Sequence, residues 1–245
     1  MKTMVISGGS SGIGAATVKR FLAEGYHVFN LDLQAAALTD RHLQWLHCDI
    51  ADVNALEQVV QEIAKTTTTI DALVCSAGIH FSADILNSSE ADFDRVVNIN
   101  LKSSFFLTKA ILPFMIKQHQ GAIVYVGSDQ SFIGKKHSAI YGLTKMALVN
   151  LAKSTALDFA PYHIRANLVA AGTIETPLYH RAIEQYCQRT GALAQEVHRS
   201  EALAQPLGRL GQPEEVAELI YFLCSEQAQF ITGAVMPIDG GYTAA

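Results

Sequence analysis

The sequence predicts an α/β fold: one domain built on a doubly wound parallel sheet. Two observations carry that prediction. Short, nearly continuous apolar runs alternate with longer segments of helical periodicity along all 245 residues. That rhythm suits strands buried on both faces, with crossover helices between them. In addition, a glycine-rich turn, SGGSSGIG from Ser7 to Gly14, joins the first apolar run to the first helical one. A phosphate sits at that point in such sheets.

Each element has its own warrant. TMVIS (Thr3 to Ser7) is the first strand, and the helix after it runs to about Glu24, stopped by Gly25. HVFNLD makes the second strand, ending at Asp32, and LQWLHCD the third, ending at Asp49. A helix follows from about Asp52 to Lys65, with Val59 and Ile63 on its apolar face. ALVCS is the fourth strand, to Ser76. A long helix then spans about Glu90 to Gln118, with a break expected near Pro113. AIVYVGS ends the fifth strand at Ser128, a helix covers about Ala139 to Asp158, and IRANLVA ends the sixth strand at Ala170. A polar stretch, a helix from about Pro213 and a last strand near AVMPID complete the chain. Right-handed crossovers turn this order into a Rossmann-type sheet. No repeat or linker divides the chain, and its one low-complexity patch, Thr66 to Thr69, reads as a solvated loop.

Composition narrows the function classes. With 49% hydrophobic residues the chain can bury a sizeable core. A formal charge of −5 argues against a nucleic-acid partner or an anionic membrane surface, since either wants a basic face. No run approaches the roughly 18 apolar residues of a membrane span. Cys48, Cys75, Cys187 and Cys224 are scattered, with neither a C-x-x-C pair nor metal-ligand spacing. No metal is expected. The N-terminus shows no cleavable leader, and a reduced, cytoplasmic setting is the expectation.

The glycine turn opens the chemistry. Gly8 lets the chain leave the strand, while Gly12 and Gly14 let backbone approach a pyrophosphate and let the helix pack close. Ser10, Ser11 and Ile13 complete the loop. Asp32 lies 18 positions beyond Gly14, at a strand end where a carboxylate accepts hydrogen bonds from adenosine ribose hydroxyls. The same charge repels the extra phosphate of NADP. Leu33 and Gln34 follow the acid, and no Arg or Lys stands beside it. The expected cofactor is therefore NAD. Asp49 either caps the adenine edge in the same way or serves its turn.

Tyr141 and Lys145 in YGLTK lie four apart, on one face of a helix. Ser128 ends a strand 13 residues earlier, beside the same crevice. An ordinary tyrosine, with a pKa of about 10, is a poor base at neutral pH. A neighbouring ammonium and a cationic nicotinamide would both favour its phenolate. Tyr141 is accordingly the candidate acid–base group, Lys145 its electrostatic partner, and Ser128 the hydroxyl that orients the reacting oxygen.

Taken together, these motifs resemble the short-chain dehydrogenase/reductase family over nearly the whole chain. The resemblance is carried by S-G-x-x-x-G-x-G, Asp32, Asp49-Ile50, Ser76-Ala77-Gly78, Asn100 in NINL, Ser128, Tyr141 with Lys145, and the final IDGG. It implies that Asn100 holds a helix kink and a proton-relaying water, and that Lys145 also holds the nicotinamide ribose. Ile50, Ser76, Ala77 and Gly78 would line the cofactor, with Ile174 and Thr176 on its carboxamide and phosphates. It implies a homotetramer, to which the apolar FITGAVMPIDGG run would contribute. Two departures bear on affinity. Cys75-Ser76 stands where the family has Asn-Asn, and Ala171-Gly172 where it has Pro-Gly, which is expected to loosen the nicotinamide loop.

The stretch from about 177 to 206 is expected to be a helical substrate lid, carrying Tyr179, His180, Arg181, Tyr186 and His198. Its end, AQPLGRLGQPEEV, resembles the branch of 17β-hydroxysteroid dehydrogenase type 14 and L-fucose dehydrogenases, and GTIETP the cytosolic 3-hydroxybutyrate dehydrogenases. Arg181, Lys135 and Lys136 are candidates to clamp a substrate carboxylate, and Gln130 and His137 to touch substrate. The expected function is hydride transfer between NAD(H) and a small secondary alcohol or ketone. An NADPH-dependent 3-ketoacyl reductase and a non-catalytic NAD-binding scaffold or sensor are the alternatives.

Overall fold

The computed structural model describes residues 1–244, so the last residue of the expected 1–245 domain lies outside the described part. Its strands are β1 (Thr3–Ser7), β2 (His27–Asp32), β3 (Leu43–His47), β4 (Ala72–Cys75), β5 (Gly121–Val126), β6 (Ile164–Ala171) and β7 (Val235–Ile238). They form one parallel sheet in the order β3-β2-β1-β4-β5-β6-β7. Strand order reverses between β1 and β4, where such sheets open a crevice at their C-terminal ends.

The helices are α1 (Gly12–Ala23), α2 (Val53–Thr66), α3 (Glu90–Val97), α4 (Ser103–Gln118), α5 (Ala139–Phe159), α6 (Pro177–Thr190), α7 (Ala194–Ala204) and α8 (Pro213–Cys224). Successive residues of a strand point to opposite faces, and the two cores divide accordingly. Val5, Phe29, Leu31 and Leu73 bury against residues of α2, α4 and α5. Met4, Ile6, Val28 and Val74 bury against residues of α1 and α8. The near-continuous apolar runs of the sequence reflect this two-sided burial.

The long helix departs from expectation. The structure shows no break at Pro113, which lies inside α4. Pro113 is exposed, so the carbonyl one turn before it, freed by the missing N–H, lies on the water side. The irregularity falls instead at Asn98–Lys102, a π turn joining α3 to α4. The combined run Glu90–Gln118 is long and apolar enough to pass for a membrane-crossing segment. Here its buried residues, among them Leu107, Ile111 and Met115, pack into the core on the sheet. Strand β3 also stops two residues short of Asp49, because Asp49 bends the chain into α2. Its Oδ1 accepts the Ala51 N–H at 3.0 Å, and its carbonyl accepts the Asp52 N–H.

Candidate active site

Strand register brings the site together. Ser7 pairs with Cys75, and Cys75 with Tyr125. The glycine turn after β1, Ser76–Gly78 after β4 and Gly127–Ser128 after β5 therefore emerge side by side.

The glycine turn is packed backbone on backbone. A Cβ on Gly14 would run into the Gly8 carbonyl, so the helix can start this close to the strand only without one. Gly12 has φ +53°, and a Cβ there would lie 3.2 Å from the Thr176 methyl. Ser11 holds the N-cap position before α1 but its hydroxyl caps nothing, so first-turn N–H groups have no side-chain acceptor. An open helix N-terminus beside a glycine cradle fits a pyrophosphate. A cavity of about 380 Å³ adjoins it, walled by Gly9, Ser10, Gly12, Ala36 and Pro177.

Asp32 stands at the expected place and has a second task. Its carboxylate accepts the Ser10 N–H at 3.1 Å and the Gln34 N–H at 3.0 Å, pinning the glycine turn to the end of β2. Asn30, buried in β2, does the same: it accepts the Gly9 N–H at 2.9 Å and donates to Ser10 Oγ at 2.9 Å. A polar residue inside the apolar run HVFNLD was the signal for it. Leu33 is exposed beside Asp32. Ile13 is partly buried against the α1 side of the sheet. Ile50 is a core residue, packed with Cys48 and Leu56, and Asp49 serves its turn.

On the other side of the reversal, the Ala77 N–H reaches Ser7 Oγ at 3.4 Å, and Gly78 lies between Asn100 and Lys145. Asn100 is buried in the π turn. Its Oδ1 accepts the Ile79 N–H at 2.8 Å, while its Nδ2 donates to the Ile79 carbonyl at 3.0 Å and to Thr144 Oγ1 at 3.3 Å. The extra residue of a π turn re-aims a side chain, and here it seats an amide against the chain after β4. Ser128 opens a short turn, with its Oγ accepting the Gln130 N–H at 3.2 Å. Ser131 ties that turn to α5 by donating to the Lys145 carbonyl at 3.0 Å.

Tyr141 and Lys145 share a face of α5, with the ammonium 5.6 Å from the ring centroid. Lys145 Nζ donates to the Val126 carbonyl at 2.8 Å, and burial pushes its pKa down to about 8. Burial pushes the Tyr141 phenol up to about 12; hydrogen bonding with Ser128 works against this and the Asp129 charge adds to it. The expected depression of Tyr141 is therefore not a property of the protein alone. Desolvation is the largest cause, so the phenolate needs positive charge at the site.

The substrate side departs from expectation at Lys135. Lys135 is engaged by the chain's own Asp129, 2.6 Å away, rather than free for a substrate carboxylate. Gln130 is buried with Oε1 unpaired and lies against Gly142. His137 is exposed, 3.9 Å from Asp84. His80, which no sequence pattern marked, stacks edge-on to Tyr141 with ring centroids 5.0 Å apart. Ala171 is held as the last residue of β6, paired with Ile238, and the Gly172 N–H donates to the Ile238 carbonyl at 3.0 Å. The start of that loop is thus tied to β7.

Ile174 is buried and bridges to Gly211. Thr176 caps α6 by accepting the Tyr179 N–H at 3.2 Å. Helices α6 and α7 occupy most of the expected lid, joined by a 2.8 Å bond between the Tyr179 hydroxyl and His198 Nδ1. Arg189 reaches the Ser82 carbonyl at 3.2 Å, on the segment after β4. Among the described residues no cluster of His, Cys, Asp or Glu could hold a metal.

A family model described as enoyl-(acyl carrier protein) reductase matches residues 8–243. The chain is 36% identical to the 3-oxoacyl-(acyl-carrier-protein) reductase of Thermotoga maritima, across 98% of this chain and 97% of that one. It is 33% identical to the meso-2,3-butanediol dehydrogenase of Serratia marcescens, across 99% and 95%. Among solved structures, a short chain dehydrogenase family protein from Francisella tularensis superposes with a TM-score of 0.93 at 34% identity, covering 100% of both chains.

Proposed function

The chain belongs to the short-chain dehydrogenase/reductase family, and on that premise we propose that it transfers a hydride between NAD(H) and a small secondary alcohol or its ketone. The observation that carries this reading is the convergence of Ser128, Tyr141, Lys145 and Asn100 beside an open helix N-terminus and glycine cradle. A bound nicotinamide supplies the hydride acceptor, or in the reverse direction the donor. The chain's part is proton handling and orientation. The first turn of α1 and Thr176 hold phosphate, Asp32 the adenosine ribose, and Ser76 to Gly78 with Ile174 the remaining length. Tyr141 takes the hydroxyl proton in oxidation and returns it in reduction. Lys145, with little solvent and one carbonyl partner, places positive charge beneath the reacting end. Asn100 keeps the chain after β4 in place.

The sign of the pH dependence follows. Oxidation needs deprotonated Tyr141, so its kcat/KM rises with pH from neutral into the alkaline range, and reduction falls over the same range. The test is a panel of secondary alcohols with NAD, including meso-2,3-butanediol, hydroxy acids and sugars. Tyr141→Phe should lose at least about a hundredfold in turnover while still binding NAD. Turnover of that variant within tenfold of wild type would remove Tyr141 as the base. The similarity to a 3-oxoacyl reductase supports a second reading, NADPH-dependent reduction of a 3-oxoacyl thioester. That substrate belongs in the panel, and the Asp32 carboxylate disfavours its cofactor. The free thiols of all four cysteines support a reducing, cytoplasmic setting.

A further inference from the structure

His80 stands beside Tyr141 without a place in the scheme above. It is half-buried, and its ring meets the Tyr141 ring edge-on, with 5.0 Å between centroids and 62° between planes. The chain that carries it is pinned on both sides. Before it, Asn100 holds the Ile79 N–H at 2.8 Å and the Ile79 carbonyl at 3.0 Å. After it, the Ser82 carbonyl accepts Arg189 at 3.2 Å, and Ala83 bridges in parallel to Ser138, at the start of the helix that carries Tyr141. The imidazole is therefore held against the tyrosine before any substrate arrives.

Its polar edge is unspent. Neither ring nitrogen has a hydrogen-bond partner among the described residues, and neither is sealed in the interior. Burial, and after it the Lys135 charge, holds the imidazole below its ordinary range, so it is neutral from neutral pH upward. A neutral imidazole offers one N–H donor and one lone-pair acceptor, a match for an uncharged hydroxyl or carbonyl. The charges around the site point the same way. The Asp129 carboxylate is buried and accepts the Ser128 hydroxyl at 2.8 Å. Lys135 is tied to that carboxylate at 2.6 Å, Lys145 to the Val126 carbonyl at 2.8 Å, and Lys136 and Arg181 are exposed. A carboxylate on the substrate would meet Asp129 with Lys135 and Lys145 already engaged.

We propose that His80 is a specificity-determining residue that hydrogen-bonds an uncharged oxygen on the carbon next to the reacting one, so that the substrate class is a vicinal diol and its hydroxy ketone. The short separation of the two rings suits oxygens on adjacent carbons, one held by Tyr141 and the other by His80. In oxidation the C–H bond gives its hydride to NAD and the attached O–H gives its proton to Tyr141. The products are the hydroxy ketone and NADH, and the hydroxyl held by His80 is unchanged. The proposal rests on the reading of Tyr141 as the acid–base group and narrows it.

The experiment compares three four-carbon alcohols, 2-butanol, 2,3-butanediol and 2-hydroxybutyrate, with whichever of NAD and NADP supports turnover. In wild type, kcat/KM for the diol should exceed that for 2-butanol by about tenfold, the worth of one well-made hydrogen bond. The gain should appear in KM more than in kcat, and 2-hydroxybutyrate should do no better than 2-butanol. His80→Phe keeps a ring against Tyr141 and removes both nitrogens, and it should bring the diol-to-butanol ratio to within about threefold of unity. A merely structural role for His80 would lower both alcohols together and leave their ratio standing. His80→Ala gives the same readout if the Phe variant does not fold. A wild-type ratio near unity, a ratio that survives His80→Phe or His80→Ala, or a preference for 2-hydroxybutyrate overturns the proposal. Turnover of alcohols without the diol preference removes this proposal alone, whereas no turnover of any alcohol removes the hydride-transfer reading and this proposal with it.

Discussion

At the residue scale, Asp32 was legible because it ends a strand a fixed distance after a glycine turn. Its second role was not: the bond to the Ser10 N–H spans 22 positions and exists only once β1 and β2 are paired. The consequence is testable. Wild type should prefer NAD to NADP by at least about a hundredfold in kcat/KM, since each 1.4 kcal/mol is roughly tenfold. Asp32→Ala should weaken both cofactors, because the turn loses an anchor, and narrow the gap because the repulsion is gone. Adding Leu33→Arg should then favour NADP. Steady-state kinetics with each cofactor check this, and equal use of both by wild type refutes the role given to Asp32. His80 and Asp129 illustrate what sequence alone withholds. A lone histidine acquires meaning from the tyrosine ring that folding places beside it, and an aspartate in a turn from the Ser128 hydroxyl that it accepts.

At the scale of elements, the order of strands and helices was readable because burial on both faces of a parallel sheet leaves unbroken apolar runs. Ends were read less well. Strand β3 stops early because the Asp49 side chain competes for backbone N–H groups. The helix after β4 carries its irregularity at Asn100 instead of at Pro113. Proline is visible in a sequence, whereas a π turn is imposed by the partners of one amide. That turn makes its own prediction. Asn100→Ala removes three hydrogen bonds, leaving the Ile79 N–H without its acceptor, so a loss of about 1–3 kcal/mol in stability is expected. Thermal unfolding measures the stability, and turnover should fall as the chain after β4 loosens around Lys145. An unchanged melting temperature with full activity would leave the π turn without the role assigned here.

At the scale of the whole molecule, apolar surface is left over. Phe105 and Met146, on α4 and α5, are about half exposed. Strand β7 is the last of the sheet, its outer edge without a strand partner among the described residues, and Phe230 near it is fully exposed. Apolar patches and open edges of this kind favour association, and we expect a homotetramer. Light scattering at micromolar concentration should report four chains, and Phe105→Asp with Met146→Asp should reduce that number. A monomeric wild type refutes it. Another consequence lies in how two helices far apart in the chain meet. Helix α1, which carries the phosphate cradle, packs against α8, and the Phe21 ring sits edge-on to Tyr221, 5.4 Å between centroids. Some 200 residues separate these partners, and closing so long a loop is slow. During synthesis the face of α1 that carries Val18 and Phe21 therefore waits for α8 until some 200 further residues have been made. Chains arrested before α8 expose that apolar face, and they are the ones most prone to aggregate.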